Sequence, residues 1–207
     1  MTGIIALQGG GPFTANDDLD RRLLTAVGAT HVVVLPTADA YEHPQRLVDA
    51  ADEWAARLGV SVEALMVLNR RDAMDDAAVE VVRGARAVYL VGDQQLHLRS
   101  VVKDTPLWEA IIGVPAGGGL LVGVGGSASA LCDPMVDPRG GAFTLGLGLV
   151  RGVAFVSDAE KYSAERMHRT EALADTVLAE APTGAALVRA DDSWEIVGAV
   201  EVRGELV

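Results

Sequence analysis

The residues best suited to chemistry lie in one short run. An apolar stretch, Leu120-Leu121-Val122-Gly123-Val124, leads into Gly125-Gly126-Ser127-Ala128-Ser129-Ala130. A serine among very small residues at a strand end suits a nucleophile elbow. The turn there is sharp, bulky neighbours would block it, and the next backbone N–H points to where an oxyanion develops. The strict pattern has Gly two residues on either side of Ser. Gly125 satisfies it, whereas position 129 is Ser. Two other readings suit the same composition. Gly123-Val124-Gly125-Gly126 opening a helix resembles a pyrophosphate cradle, although no GxGxxG register fits and no Lys follows. The small residues would also serve close strand–helix packing alone.

A serine hydroxyl needs a base near neutral pKa to take its proton, and imidazole suits that task. The chain has four histidines, His31, His43, His97 and His168, scattered without metal-ligand spacing. By topology His43 and His97 lie nearest the elbow, while His31 opens a strand. Asp158 and Glu160 stand two apart, so an extended segment turns both carboxylates to one side. They are either a cation site or solvated loop carboxylates, and no metal is expected.

These residues need a scaffold, and the pattern around them supplies one. Ile4–Leu7, His31–Leu35, Ser61–Val67, Ala87–Val91, Leu120–Val124 and Val153–Val156 are short apolar runs without strict alternation, the mark of strands buried on both faces. Asp17–Val27, Pro44–Leu58, Asp75–Val82, Thr105–Ile112 and Ala164–Leu178 are expected to be helices. The first two end at Gly28 and Gly59, and Ser163 caps the last. The tail, Ala185–Val188, Trp194–Val200 and Glu201–Val207, is expected to form an antiparallel meander. Strand–helix alternation implies an α/β three-layer sandwich with a mainly parallel sheet. Ligands in such folds bind beyond the carboxyl ends of the strands. Three places qualify: Gly9-Gly10-Gly11-Pro12, Gly92-Asp93-Gln94-Gln95, and the run from Gly125 to Ala130.

Composition narrows the classes. The 207 residues suit one domain, 1–207, and half of them are hydrophobic, enough for a sizeable core. Seventeen basic against 29 acidic residues give a net charge of −12, which argues against nucleic acid or an anionic membrane as partner. Cys132 is the single cysteine, so no internal disulfide or multi-cysteine zinc site forms, and a cytoplasmic setting is expected. The N-terminus lacks a basic n-region, so it does not look like a signal peptide. Ala110 to Cys132 carries no charge, yet Pro115 and its seven glycines oppose a membrane helix.

Several motifs, in order, resemble the serine peptidase family of aspartyl dipeptidase (dipeptidase E) and cyanophycinase, peptidase family S51. They are Gln8-Gly9-Gly10-Gly11, Leu35-Pro36-Thr37-Ala38, Tyr89-Leu90-Val91-Gly92-Asp93-Gln94 before Thr105-Pro106-Leu107-Trp108, the elbow, Asp133-Pro134-Met135-Val136-Asp137-Pro138-Arg139, and Leu145-Gly146-Leu147-Gly148-Leu149. The resemblance spans nearly the whole chain. It implies a class I glutamine amidotransferase-like (flavodoxin-like) fold, no cofactor, and a small peptide or small molecule as ligand. It leaves homo-oligomerisation open. It places Ser127 as nucleophile, with the N–H groups of Gly92 and Ala128 as oxyanion donors. Gly10, Gly11, Asp93, Gln94, Ser129 and Glu160 are then candidate binding residues.

The departures fall on the same site. Ser129 replaces the elbow's second Gly, and Val91 replaces the first Gly of the oxyanion loop, where it is expected to crowd Gly92. Asp158 stands at the family's His position, and Thr183 at the acid position of some members. In other members an Asp after the elbow is the acid, for which Asp133 and Asp137 are only nearby candidates. A carboxylate, with an ordinary pKa of about 3.9, is a much weaker base than imidazole. The expectation is an impaired or non-catalytic relative. The alternative is an active serine hydrolase cleaving small Asp-containing or isoaspartyl peptides.

Overall fold

A computed structural model describes residues 3–191 and 193–206. Its main sheet has seven strands in the order β13-β12-β1-β5-β4-β2-β3. These are β1 (Ile4–Gln8), β2 (His31–Leu35), β3 (Ser61–Ala64), β4 (Ala87–Val91), β5 (Leu120–Val124), β12 (Ala186–Ala190) and β13 (Ser193–Val197). The first five are mutually parallel, and β12 and β13 extend the sheet antiparallel beside β1.

Helices cover both faces, which explains the missing polar alternation. Ala6, Val32, Val34, Tyr89, Val91 and Val122 point into one core with α1 (Asp17–Val27) and α2 (Pro44–Leu58). Their strand neighbours Leu7, Val33, Leu35, Leu90 and Leu121 point into the other. That core also holds α3 (Asp76–Gly84), α4 (Gln95–Val102), α5 (Pro106–Ala116) and α6 (Gly126–Leu131). Both faces of the inner strands β2, β4 and β5 are therefore apolar.

A second sheet lies beside α6. β10 (Val153–Ser157) pairs parallel with β11 (Val177–Ala181), and β14 (Glu201–Arg203) closes its far edge antiparallel. Between α6 and β10, β6 (Cys132–Asp133) pairs with β9 (Val150–Arg151), and β7 (Met135–Val136) with β8 (Phe143–Thr144). The remaining helix, α7 (Ala164–Leu173), begins at Ser163, whose Oγ accepts the N–H of Arg166 at 3.2 Å.

The structure revises three boundaries. The run after α7 is not more helix. The helix ends at Leu173, and Val177–Ala181 leaves it to pair with β10. The tail is not one meander, because β12 and β13 join the main sheet while β14 joins the second. Strand β3 stops at Ala64, and the N–H of Val67 turns back to the carbonyl of Leu65 at 2.8 Å. β11 and β14 follow distant partners, whereas β3 ends on a local bond. The uncharged stretch divides into the end of α5, the central strand β5 and α6. Among the described residues, no helix is long and apolar enough to cross a membrane.

Candidate active site

Because β5 lies between β1 and β4, the loops that follow these three strands meet at one end of the sheet. The three glycine-rich turns expected to bind ligand are thus neighbours.

The elbow is built from backbone. Gly125 has φ 67° and ψ −138°, a conformation costly for any residue with a Cβ. It reverses β5 into α6, leaving Ser127 in the first turn of the helix and fully buried. A Cβ on Gly123 would stand 2.8 Å from the Cα of Ala128, so strand and helix touch. The N–H of Ala128 donates to the carbonyl of Gly125 at 3.0 Å. Ser129, also buried, places its Oγ 3.4 Å from that of Ser157 at the end of β10.

Across from the elbow, Gly92 turns its carbonyl toward Ser127. That oxygen accepts the Ser127 N–H at 2.9 Å and the Ser127 hydroxyl at 3.1 Å. Among the described residues, no partner meets the Gly92 N–H. The side chain of Asp93 accepts the N–H of Gly126 at 3.3 Å, while Gln94 is exposed where α4 begins. Val91 does not crowd this loop, contrary to expectation. Pleating turns its side chain away into the core beneath α1 and α2.

Asp158 and Thr183, from separate loops, come together. Asp158 follows β10 in a left-handed conformation, its N–H on the carbonyl of Gly9 at 2.8 Å. Its carboxylate lies against Gly10, and the hydroxyl of Thr183 is 3.4 Å away. Gly11 lies against the Thr183 methyl. The positions expected for base and acid are therefore adjacent, but their residue types are changed. Thr183 donates its hydroxyl to Glu160 at 2.6 Å and its N–H at 3.2 Å. Burial pulls the Glu160 carboxyl up, yet these bonds and the charge of Lys161 outweigh it and hold it low. Lys161 pairs with Asp158 at 2.8 Å. That bond raises the ammonium above its ordinary range against partial burial, helped by the charges of Asp158, Asp93 and Glu160.

The other candidates are engaged elsewhere. His31 bonds Ser61 at 2.9 Å at the opposite end of the sheet, and His97 bonds the carbonyl of Leu68 at 3.0 Å. His43 and His168 are exposed. Asp137 pairs with Arg139 at 2.6 Å, and Asp133 accepts the N–H of Gly146 at 3.2 Å. No cluster of three or more metal-ligating side chains occurs among the described residues. A cavity of about 390 Å³, lined by Glu160, Tyr162, Glu180 and Glu201 among others, lies behind the Asp158 turn and does not include Ser127.

Three residues at this site are given no role of their own by the sequence reading, Gln95 standing there only as the end of one ligand turn. Lys161 is one, with nothing in its neighbours to assign it to the strand ends. Buried Gln95 is the second. Its Oε1 lies against Gly126, and its Nε2 donates to the carbonyl of Val136 at 3.1 Å. The third, Asp39, directly follows the Leu35-Pro36-Thr37-Ala38 motif. Its Oδ1 accepts the N–H of Asp93 at 2.8 Å. Burial raises this carboxyl, the Asp93 N–H opposes, and the carboxylates of Asp93 and Glu42 add to the rise.

No protein-family model matches the chain, and no curated protein matches it. Solved structures do. A peptidase from an acI-B1 Actinobacterium superposes with a TM-score of 0.87 at 26% identity, over 98% of this chain and 90% of that one. A structure named for peptidase E, from Listeria monocytogenes EGD-e, superposes with a TM-score of 0.65 at 16% identity, over 98% of each chain. At that identity the second likeness concerns the fold alone. With the strand order and the elbow, these neighbours uphold the resemblance seen in the motifs: the chain is similar to solved peptidases and has the fold of a peptidase E structure, a mainly parallel sheet between helices.

Proposed function

We propose that this peptidase-like protein is a catalytically impaired member of its fold group, which binds a small peptide or small molecule at the strand ends. One observation carries the reading. The Ser127 hydroxyl donates to the Gly92 carbonyl at 3.1 Å, its one partner among the described residues. A carbonyl oxygen holds a hydroxyl but is no general base, and without a base the nucleophile is weak. Asp158 supports the same reading, since its Oδ1 is paired with Lys161 at 2.8 Å and a carboxylate is a weaker base than imidazole. Loss of a triad member leaves roughly 10³–10⁴-fold acceleration over water, from oxyanion stabilisation and binding alone.

A fluorophosphonate probe tests this directly. Labelling of Ser127 is expected to be slow. Rapid labelling abolished by Ser127→Ala would overturn the impaired reading.

The alternative, an active hydrolase for small Asp-containing or isoaspartyl peptides, has its own support. The elbow turn at Gly125 is intact, and the Gly92 N–H is left without a partner among the described residues. Ser127 would then attack, with the Gly92 and Ala128 N–H groups holding the oxyanion. Hydrolysis of an Asp-containing dipeptide, lost in Ser127→Ala, would establish it.

A further inference from the structure

We propose that Asp39 is a positioning residue, which holds the Gly92–Asp93 peptide so that its carbonyl, and not its N–H, faces Ser127. This rests on the reading of Ser127 as the nucleophile position.

The two ends of one peptide unit carry the argument. Its N–H, on Asp93, donates to the Asp39 carboxylate at 2.8 Å. Its carbonyl, on Gly92, accepts both the N–H and the hydroxyl of Ser127, at 2.9 and 3.1 Å. A peptide is planar with N–H and C=O opposed, so fixing one end aims the other. Gly92, at φ 111°, is also closed in, since a Cβ there would stand 2.5 Å from Asp39 Oδ1. That backbone conformation is open to glycine and strained for other residues.

The acceptor is charged, and hydrogen bonds to ionised groups are about twice as strong as neutral ones. Asp39 is itself placed by a short helical turn, Thr37–Asp39, that follows β2. Thr37 anchors that turn by donating its hydroxyl to the carbonyl of Val67 at 2.7 Å. The consequence for Ser127 is chemical. An oxyanion site needs donors, and this peptide presents it with an acceptor. Release of the Asp93 N–H would let the peptide rotate and offer a donor in its place.

Two readouts test the proposal: hydrogen exchange of the Asp93 amide and fluorophosphonate labelling of Ser127. Asp39→Leu keeps the approximate shape and loses the acceptor. It is expected to speed Asp93 exchange at least tenfold, as loss of a charge-assisted bond would, and to raise Ser127 labelling several-fold. Asp39→Asn retains an acceptor oxygen and is expected to stay within about threefold of wild type in both. Faster exchange with unchanged labelling would make Asp39 merely structural and overturn the proposal; so would Asp39→Asn behaving like Asp39→Leu. If Asp39→Leu does not fold, a crystal structure of the wild-type chain decides. The Asp93 N–H off Asp39, or the Gly92 carbonyl turned from Ser127, would overturn it. Rapid labelling of wild type would instead sink the impaired reading, and leave the exchange result standing.

Discussion

The elbow and the Asp158–Thr183 corner are the two parts of the proposed site, and they are built in different ways. The elbow works through backbone: a turn at Gly125, a helix start, and N–H groups near a hydroxyl. The turn and the helix start are present, while the Ala128 N–H is taken by the Gly125 carbonyl and the hydroxyl meets the Gly92 carbonyl. The corner works through side-chain chemistry. There Asp158 and Thr183 lie within 3.4 Å of each other, where the resemblance implies a His and an acid. The two halves answer to different constraints. Gly123 closes the contact between β5 and α6, and Gly125 and Gly126 lie against Asp93, so changing them costs stability. At the corner Thr183 is exposed, and an exposed side chain can be exchanged with little effect on the fold.

The strongest test of that contrast strikes the elbow. Gly125→Val forces a β-branched residue to φ 67° and a Cβ against the Asp93 carboxylate. A loss of about 3–4 kcal/mol is expected, a fall in Tm of roughly 6–16 °C. A drop under about 2 °C would mean that the elbow is not held by the fold.

Asp20 tests the joint between the halves. Fully buried, it accepts bonds from Gln8 at 2.7 Å, Trp54 at 3.0 Å and Tyr89 at 3.1 Å. Gln8 leads directly into the glycine loop that meets Asp158. Burial raises the Asp20 carboxyl to about 6 against the pull of those three bonds, with Asp17 adding a little. The folded state therefore holds this proton more tightly than the unfolded chain does. The stabilisation is complete below about pH 3.8 and is lost as pH rises to about 6, a span worth ~3 kcal/mol. Asp20→Asn is expected to flatten that portion of a stability-against-pH curve. An unchanged slope there would remove Asp20 from the account.

Rebuilding the corner tests the other side. Asp158→His with Ser129→Gly is expected to raise Ser127 labelling by about 10²-fold, the lower range for general-base assistance. No increase would mean that Thr183 or access to the buried serine also limits the site. Lys161→Ala should do least. Its cation is 65% exposed, so ~1 kcal/mol or less is at stake, read as a Tm change of no more than about 4 °C. A larger loss would make the corner structural rather than exchangeable.

Much of this was open to reading in the chain. The apolar runs gave the parallel strands because both sheet faces are covered, and Gly28 and Gly59 marked the ends of α1 and α2. The small residues around Ser127 marked the elbow, since a tight turn selects residue type locally. The motifs' order also carried the resemblance that the solved structures uphold.

Other features depended on distant partners. β11 exists because Val177–Ala181 finds β10, and β14 leaves the tail's meander for the same sheet. Val91 lies away from the site because the pleat, not its neighbours in sequence, decides which face it enters. Asp39 and Lys161 came to light only when the loops were placed. Residue type and local spacing determine which segments turn, span or cap, because those preferences act within a few residues. Which carboxylate meets which N–H across 54 positions, as Asp39 meets Asp93, is settled only when the sheet brings two strand ends together.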